Sequence, residues 1–110
     1  MLAEQEAVLF LTQKGHTILQ RNWRFKALEI DIISQIGPYI VFTEVKRISS
    51  FSPKALQEKI NSSTQTRLMR AAAEYMRIFV TADMEYRFDV ICYSKNANPI
   101  HIEAAFYPNI

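Results

Sequence analysis

Glycine is nearly absent from this chain: Gly15 and Gly37 are the only two in 110 residues. A phosphate-cradling loop needs several glycines in a short span, so a nucleotide-hydrolysing domain built on one is excluded. Cysteine is scarcer still. Cys92 has no partner for an internal disulfide, so a reducing, cytoplasmic setting is expected. It sits in an apolar stretch and reads as inert core. His16 and His101 lack metal-ligand spacing with it, which argues against zinc. No apolar run approaches membrane length. Residues 1–20 contain Glu4, Glu6 and Lys14, which removes a signal peptide or a membrane span there. Neither sign of charge dominates, since 13 Lys and Arg against 11 Asp and Glu leave +2. That balance permits nucleic-acid binding through a local basic patch without requiring it. No repeat or low-complexity linker divides the chain. It begins with Met1 and is expected to be nearly complete, as one domain over residues 1–110.

Hydrophobic residues make up 49% and charged residues 22%, an ordinary globular balance. Residues 3–14 predict a helix closed by Gly15. The alternating stretch 17–25 predicts a strand, and 27–34 and 39–47 predict a hairpin around Gly37 and Pro38. Residues 49–63 are polar and expected to be a loop or a mobile short helix. Leu68, Met69, Ala72, Met76 and Phe79 follow the helical period and predict a helix over 63–79. Residues 85–94 and 99–107 predict two more strands. The order αβββαββ implies a central mixed sheet flanked by helices, an α/β fold.

The hairpin LEIDIISQIGPYIVFTEVKR puts Glu29, Asp31, Glu44 and Lys46 among isoleucines and valines. With a turn over residues 36–39, opposed residue numbers sum to 75. Asp31 then faces Glu44, and Glu29 faces Lys46. Directly opposed Cβ atoms lie roughly 5 Å apart. Two carboxylates that close repel each other and raise the proton affinity of at least one. A divalent cation is an economical remedy, because Mg²⁺ takes oxygen ligands and is often held by only one or two carboxylates. Lys46 would sit beside it, placed to orient or activate water or to steady a charged transition state. A solvated sheet face with a Glu29–Lys46 pair, worth about 0.2–1 kcal/mol, accounts for the same charges. Glu4 falls in line with Ala7, Val8 and Leu11, the stripe expected to face the core. There it is either a third acid for the site or a first-turn residue favoured by the helix dipole. Gln65 lines up with Leu68, Met69, Ala72 and Met76. It either faces the site or closes an S-x-x-Q capping box with Ser62.

The segments AEQEAVLFLTQKGHTILQRNWRFKALEIDII, IVFTEVKR, QTRLMRAAAEYM, RFDVICY and IHIEAAF together resemble the bacterial YraN-like (UPF0102) family over nearly the whole chain. That family is similar to archaeal Holliday-junction resolvases and to the PD-(D/E)XK nuclease superfamily. The resemblance implies a restriction-endonuclease-like fold and an endonuclease that cuts nucleic acid, DNA in the first instance, linear or branched, with Mg²⁺ or Mn²⁺ as cofactor. It implies Asp31, Glu44 and Glu4 as metal ligands, Lys46 as the lysine of E-x-K, and Gln65 as the helix glutamine of the catalytic set. Three positions depart from the family pattern. Leu28 and Ala3 stand where glycine is usual, and Thr64 stands where lysine is common.

Arg21, Arg24 and Lys26 are interleaved with Trp23 and Phe25, a mixture suited to phosphate contact and base stacking. An edge strand with a core tryptophan and outward arginines is the simpler explanation of the same residues. Arg67, Arg70 and Arg77 share a helix face with Glu74. Arg24, Arg47, Arg67 and Arg70 are the candidate nucleic-acid contacts. A homodimer is expected if a junction is to be cut twice. The alternative is a catalytically inactive nucleic-acid-binding module of the same fold.

Overall fold

Alternating apolar residues on the strands and spaced apolar residues on the helices decide how this chain layers. The structure, a computed structural model, describes residues 2–49, 51–95 and 98–106. Its elements are α1 (Leu2–Gln13), β1 (Thr17–Phe25), β2 (Leu28–Ile36), β3 (Tyr39–Arg47), α2 (Pro53–Lys59), α3 (Ser62–Phe79), β4 (Glu85–Tyr93) and β5 (Ile100–Phe106). The strands form one sheet in the order β1-β2-β3-β4-β5. The β3–β4 pair is parallel and the other pairs are antiparallel. The expected mixed sheet flanked by helices is therefore present.

Ala3, Ala7 and Leu11 recur every four residues along α1 and bury against Ile32, Val45, Ile91 and Tyr93. Leu68, Ala71, Ala72 and Tyr75 of α3 bury against Ile33, Ile40, Phe42 and Phe88. Phe42 and Val45, or Phe88 and Ile91, are three apart on their strands and so point to opposite faces. Helices α1 and α3 therefore cover the two sides of the sheet. Leu56 of α2 joins Ile48, Val90 and Cys92 on the α3 side. Among the described residues no helix is long and apolar enough to cross a membrane.

The chain bends where its sequence allows. At the end of α1 the His16 N–H bonds the Leu11 carbonyl at 3.0 Å and the Gly15 N–H bonds that of Thr12 at 3.0 Å. This closure needs a left-handed residue, and Gly15 has φ +100°. The polar stretch expected to be a loop or mobile helix contains α2. Ser52 Oγ caps it by accepting the Ala55 N–H at 3.1 Å, and Pro53 opens the first turn. Asn61, not Ser62, caps α3, its side chain accepting the Thr64 N–H at 3.0 Å. The Ser62–Gln65 capping box is thus not formed, and Gln65 donates to the Ile60 carbonyl instead. The last strand ends at Phe106; the expected extension to Tyr107 lies outside the described residues.

A polar ring around buried Asp89 ties the residue after α1, Lys14, to the far edge of the sheet. Asp89 is fully buried and accepts from Arg87 Nε at 3.1 Å, Arg87 Nη2 at 3.2 Å, His101 Nε2 at 2.7 Å and the Ala104 N–H at 3.0 Å. Ala104 has φ +48° at the register break of β5, which aims its N–H inward. Lys14 Nζ lies 2.8 Å from His101 Nδ1. An ammonium can only donate, so Nδ1 accepts and Nε2 carries the proton given to Asp89. Glu103 closes the ring, 3.8 Å from Lys14 and 3.6 Å from Arg87.

Burial alone would push the Asp89 carboxyl up, but the hydrogen bonds from His101, Ala104 and Arg87 together outweigh it and hold it below the usual range. A lowered folded pKa gives stability that is present above the ordinary Asp value and lost as pH falls through the folded one. We expect Asp89→Asn to cost about 3–5 kcal/mol at neutral pH, the usual scale for breaking a buried ion pair from one side. The difference from wild type should narrow below about pH 4. Urea unfolding across this range measures both.

Candidate functional site

Strand β2 leaves β3 partway along the hairpin. Their pairing runs from Ile36↔Tyr39 to Ile32↔Thr43 in the expected register and stops there. Beyond that point β3 stays with β4 as far as Arg47↔Tyr93, while β2 stays with β1 as far as Leu28↔Phe25. The alternation of β2 also breaks at Asp31, since Ile30 packs with α3 and Ile32 with α1 although they are two residues apart. On β1, Asn22 lies between the pairs Trp23↔Ile30 and Arg21↔Ile32 and has φ +50°. An asparagine tolerates this left-handed conformation better than most residues. The sheet therefore opens a wedge between β2 and β3, and the hairpin acids line it.

Within the wedge Asp31 Oδ2 accepts the Val45 N–H at 2.8 Å. Burial above all, then the negative charge of Glu44, pushes the Asp31 carboxyl up to about 7; Glu4 and Glu29 add to this and the Val45 hydrogen bond opposes it. Glu44 is buried, and two cations hold its Oε1: Lys46 Nζ at 3.0 Å and Arg67 Nη2 at 3.4 Å. Lys46 is two residues along the same strand, and Arg67 reaches across from α3. Glu4 is half-buried in the first turn of α1. Its charge acts on Asp31, and it makes no hydrogen bond or ion pair among the described residues.

Asp31, Glu44 and Lys46 thus share one place, with Glu4 acting on it electrostatically and Arg67 joining it. Sequence reasoning assigned Arg67 to phosphate contact and missed its bond to Glu44. The only available signal was the phase of Arg67 on α3, one residue before buried Leu68. The Gln65 side chain is turned to the α2–α3 junction, where Nε2 donates to the Ile60 carbonyl at 3.0 Å. Glu29 pairs with Arg24 at 3.1 Å, not with Lys46, because the wedge has parted their strands. Arg77 pairs with Glu74 at 2.7 Å. Arg47 and Arg70 are exposed and have no ion-pair partner among the described residues. Of the three departures from the family pattern, Ala3 is buried on the inner face of α1 and the Thr64 N–H is capped by Asn61. Leu28 lines a groove beside α3.

Among the described residues no group of three or more His, Cys, Asp or Glu is placed to hold a metal ion. The expected three-carboxylate set is therefore not assembled. The remaining donor set, Asp31 and Glu44, still has the chemistry of a hard-cation site, since Mg²⁺ can be held by two carboxylates and completed by water and phosphate.

Comparison with known proteins adds a family. The sequence profile of UPF0102, described as an uncharacterised protein family, matches residues 3–93. A UPF0102 protein of Flavobacterium psychrophilum is 38% identical over 107 residues, covering 94% of this chain and 89% of its own. One from Chlorobium phaeobacteroides is 41% identical over 88 residues, covering 80% of this chain and 70% of its own. One from Nitratidesulfovibrio vulgaris is 34% identical over 100 residues, covering 91% and 75%.

The Asp31 carboxyl makes a prediction with a definite sign. Its folded pKa, about 7, lies above the ordinary 3.8. Between those values the unfolded chain is ionised while the folded chain keeps its proton. Stability is therefore lost as pH rises from the lower value and stays lost above the higher one. Asp31→Asn cannot ionise, yet its amide oxygen can still accept the Val45 N–H. We expect it to be more stable than wild type at pH 8 by about 1–2 kcal/mol, after allowance for solvent screening of this partly exposed group. That is at least about 4 °C in Tm. The advantage should vanish near pH 4, and thermal melts at the two pH values measure it.

Proposed function

This chain belongs to the UPF0102 family, and from that membership and the geometry above we propose that it is a metal-dependent endonuclease that hydrolyses phosphodiester bonds in DNA. One observation carries the reading. Two acids, Asp31 and Glu44, are held together where the sheet opens, with Lys46 at 3.0 Å on the rim. A core has no use for such a pair, whereas a hard cation and a phosphate do. The resemblance of the hairpin to the acid and E-x-K elements of PD-(D/E)XK nucleases, and of the chain to archaeal Holliday-junction resolvases, supports the same reading.

In this proposal Asp31 and Glu44 hold Mg²⁺ or Mn²⁺, and Glu4 adds negative charge to the site. Bound there, the ion supplies positive charge for the phosphate oxygens during in-line attack. Lys46 positions the attacking water or steadies the charge that develops. Arg67 gives up Glu44 and turns to the phosphate. Gln65 fixes the start of α3 and so positions Arg67. A homodimer would supply the two cuts that a branched junction requires. One observation favours a second reading, a binding module without turnover: both cations already neutralise Glu44.

Incubation with linear and branched DNAs in Mg²⁺ and in Mn²⁺ separates the readings. We expect cleavage by wild type and none by Glu44→Ala. Lys46→Ala should retain cation binding in calorimetry, because an ammonium is not a ligand, yet lose cleavage by about 10²-fold or more. Undiminished cleavage in Lys46→Ala would remove the lysine from the mechanism. A wild type that binds DNA and cuts none of the panel in either metal would leave the binding module.

A further inference from the structure

Between the β1–β2 turn and α3 runs a groove of two lobes. One lobe, about 410 Å³, is lined by Leu28, Ser62, Ser63, Thr66, Arg67 and Arg70. The other, about 540 Å³, continues to Phe25, Lys26 and Glu74. Leu28 and Arg70 line both, so the two lobes are adjacent. Its inner end is Arg67, the residue that bonds Glu44 at 3.4 Å. The inner lobe is therefore one residue, Arg67, away from Glu44.

Its chemistry changes along its length in a consistent way. Lys26 and Arg70 are exposed cations without an ion-pair partner among the described residues. Glu74, the acid on the wall, is already bound by Arg77 through hydrogen bonds of 3.0 and 2.7 Å. The net field in the groove is thus positive. Ser62, Ser63 and Thr66 add neutral hydroxyl donors at the inner lobe. Phe25 is half-buried, stacked on Trp23 with centroids 6.2 Å apart and planes at 12°, and Lys26 Nζ lies 5.5 Å from its ring centroid. Trp23 is itself fixed by an edge contact with Tyr75 at 5.4 Å. The aromatic surface is therefore rigid. A cationic track with hydroxyls and one fixed aromatic ring matches a phosphodiester strand whose bases are free to stack.

The aromatic ring favours a single strand over a duplex. Each lobe falls in the range of about 300–1,000 Å³ that encloses one compact ligand, which suits one nucleotide at a time. A duplex keeps its bases stacked inside and could present only a backbone edge to Arg70, leaving Phe25 without a partner. We propose that this groove seats single-stranded DNA, with Arg70 and Lys26 on its phosphates and Phe25 beneath a base, and leads the strand to Glu44 and Asp31. The proposal rests on the nuclease reading for the final step, and it narrows the substrate to DNA with a single-stranded arm.

Fluorescence anisotropy on the full chain tests it in EDTA, where no cleavage is possible. The probes are a labelled deoxythymidine oligonucleotide and the same strand paired into a blunt duplex. We expect the single strand to bind more tightly by about tenfold or more. Arg70→Glu and Lys26→Glu should each weaken it by about tenfold and reduce the salt slope by about 0.7 for each phosphate lost. Phe25→Ala should weaken it about fivefold to hundredfold, the scale of one base stack. Both cations are exposed, so their reversal should leave Tm unchanged, and melting curves confirm that binding is lost without unfolding. Equal affinity for duplex and single strand, or unchanged binding in Arg70→Glu and Lys26→Glu, would overturn the groove. Cleavage assays in Mg²⁺ separate the two proposals. Single-strand preference without cutting leaves the groove and removes the nuclease. Full-rate cutting of blunt duplex by Arg70→Glu leaves the nuclease and removes the groove.

Discussion

Asp31 accepts the Val45 N–H at the point where β2 leaves β3. A backbone N–H inside a protein must find a partner, because leaving it bare costs about as much as a lost hydrogen bond. Ordinarily the neighbouring strand provides it. Here a side chain does, so the strands can part without stranding the donor. The parting opens the wedge, and the wedge brings Asp31 close to Glu44. It also keeps Glu29 away from Lys46 and leaves each free for another partner, Arg24 and Glu44 respectively.

Glu44 then links the wedge to the helical layer. Arg67 holds it from α3, and the position of α3 is set by Leu68, Ala71, Ala72 and Tyr75 packing on the sheet. The same helix forms one wall of the groove that ends at Arg67. A strand entering the groove and a cation entering the wedge would therefore act on one ion pair from two sides. Arg67 can hold Glu44 or a phosphate. If the proposed cation binds Glu44, it would remove the need for the arginine, and occupation of the wedge would then favour occupation of the groove.

The sequence was most legible where structure is periodic. The strands over 17–25 and 39–47 lie where alternation put them, and α1 stops at Gly15 because only that residue closes the turn without strain. The hairpin register was also legible from its turn to Ile32↔Thr43. Extending it to Asp31–Glu44 and Glu29–Lys46 assumed a regular ladder, and the irregularity lies around Asp31 and Asn22, where no residue type demands it. Helix α2 carried an ordinary start signal in Ser52 and Pro53 that its polar surroundings obscured. The Asp89 ring was legible in principle. An aspartate in an apolar strand, two residues after an arginine, raises the same question that Asp31 raised. Its answer required His101 and Lys14, 12 and 87 residues from their partners, and no local pattern connects them.

Asp31 and Asp89 are two acids of one sheet with opposite electrostatics, and donor supply explains the difference. Asp89 receives four hydrogen bonds, from Arg87, His101 and Ala104, with positive charge adjacent. Its ionised form is satisfied by the protein, so it serves as a fixed support for α1 and β5. Asp31 receives one, from Val45, and faces the negative charge of Glu44 and Glu4. Its ionised form lacks what the protein gives Asp89, namely positive charge. The shortage is local, because Lys46 and Arg67 both lie on Glu44. An external cation would supply it, and a half-buried acid left in this state is the kind of group that functional sites accumulate. The two aspartates thus divide the sheet into a half that completes itself and a half that a ligand would complete.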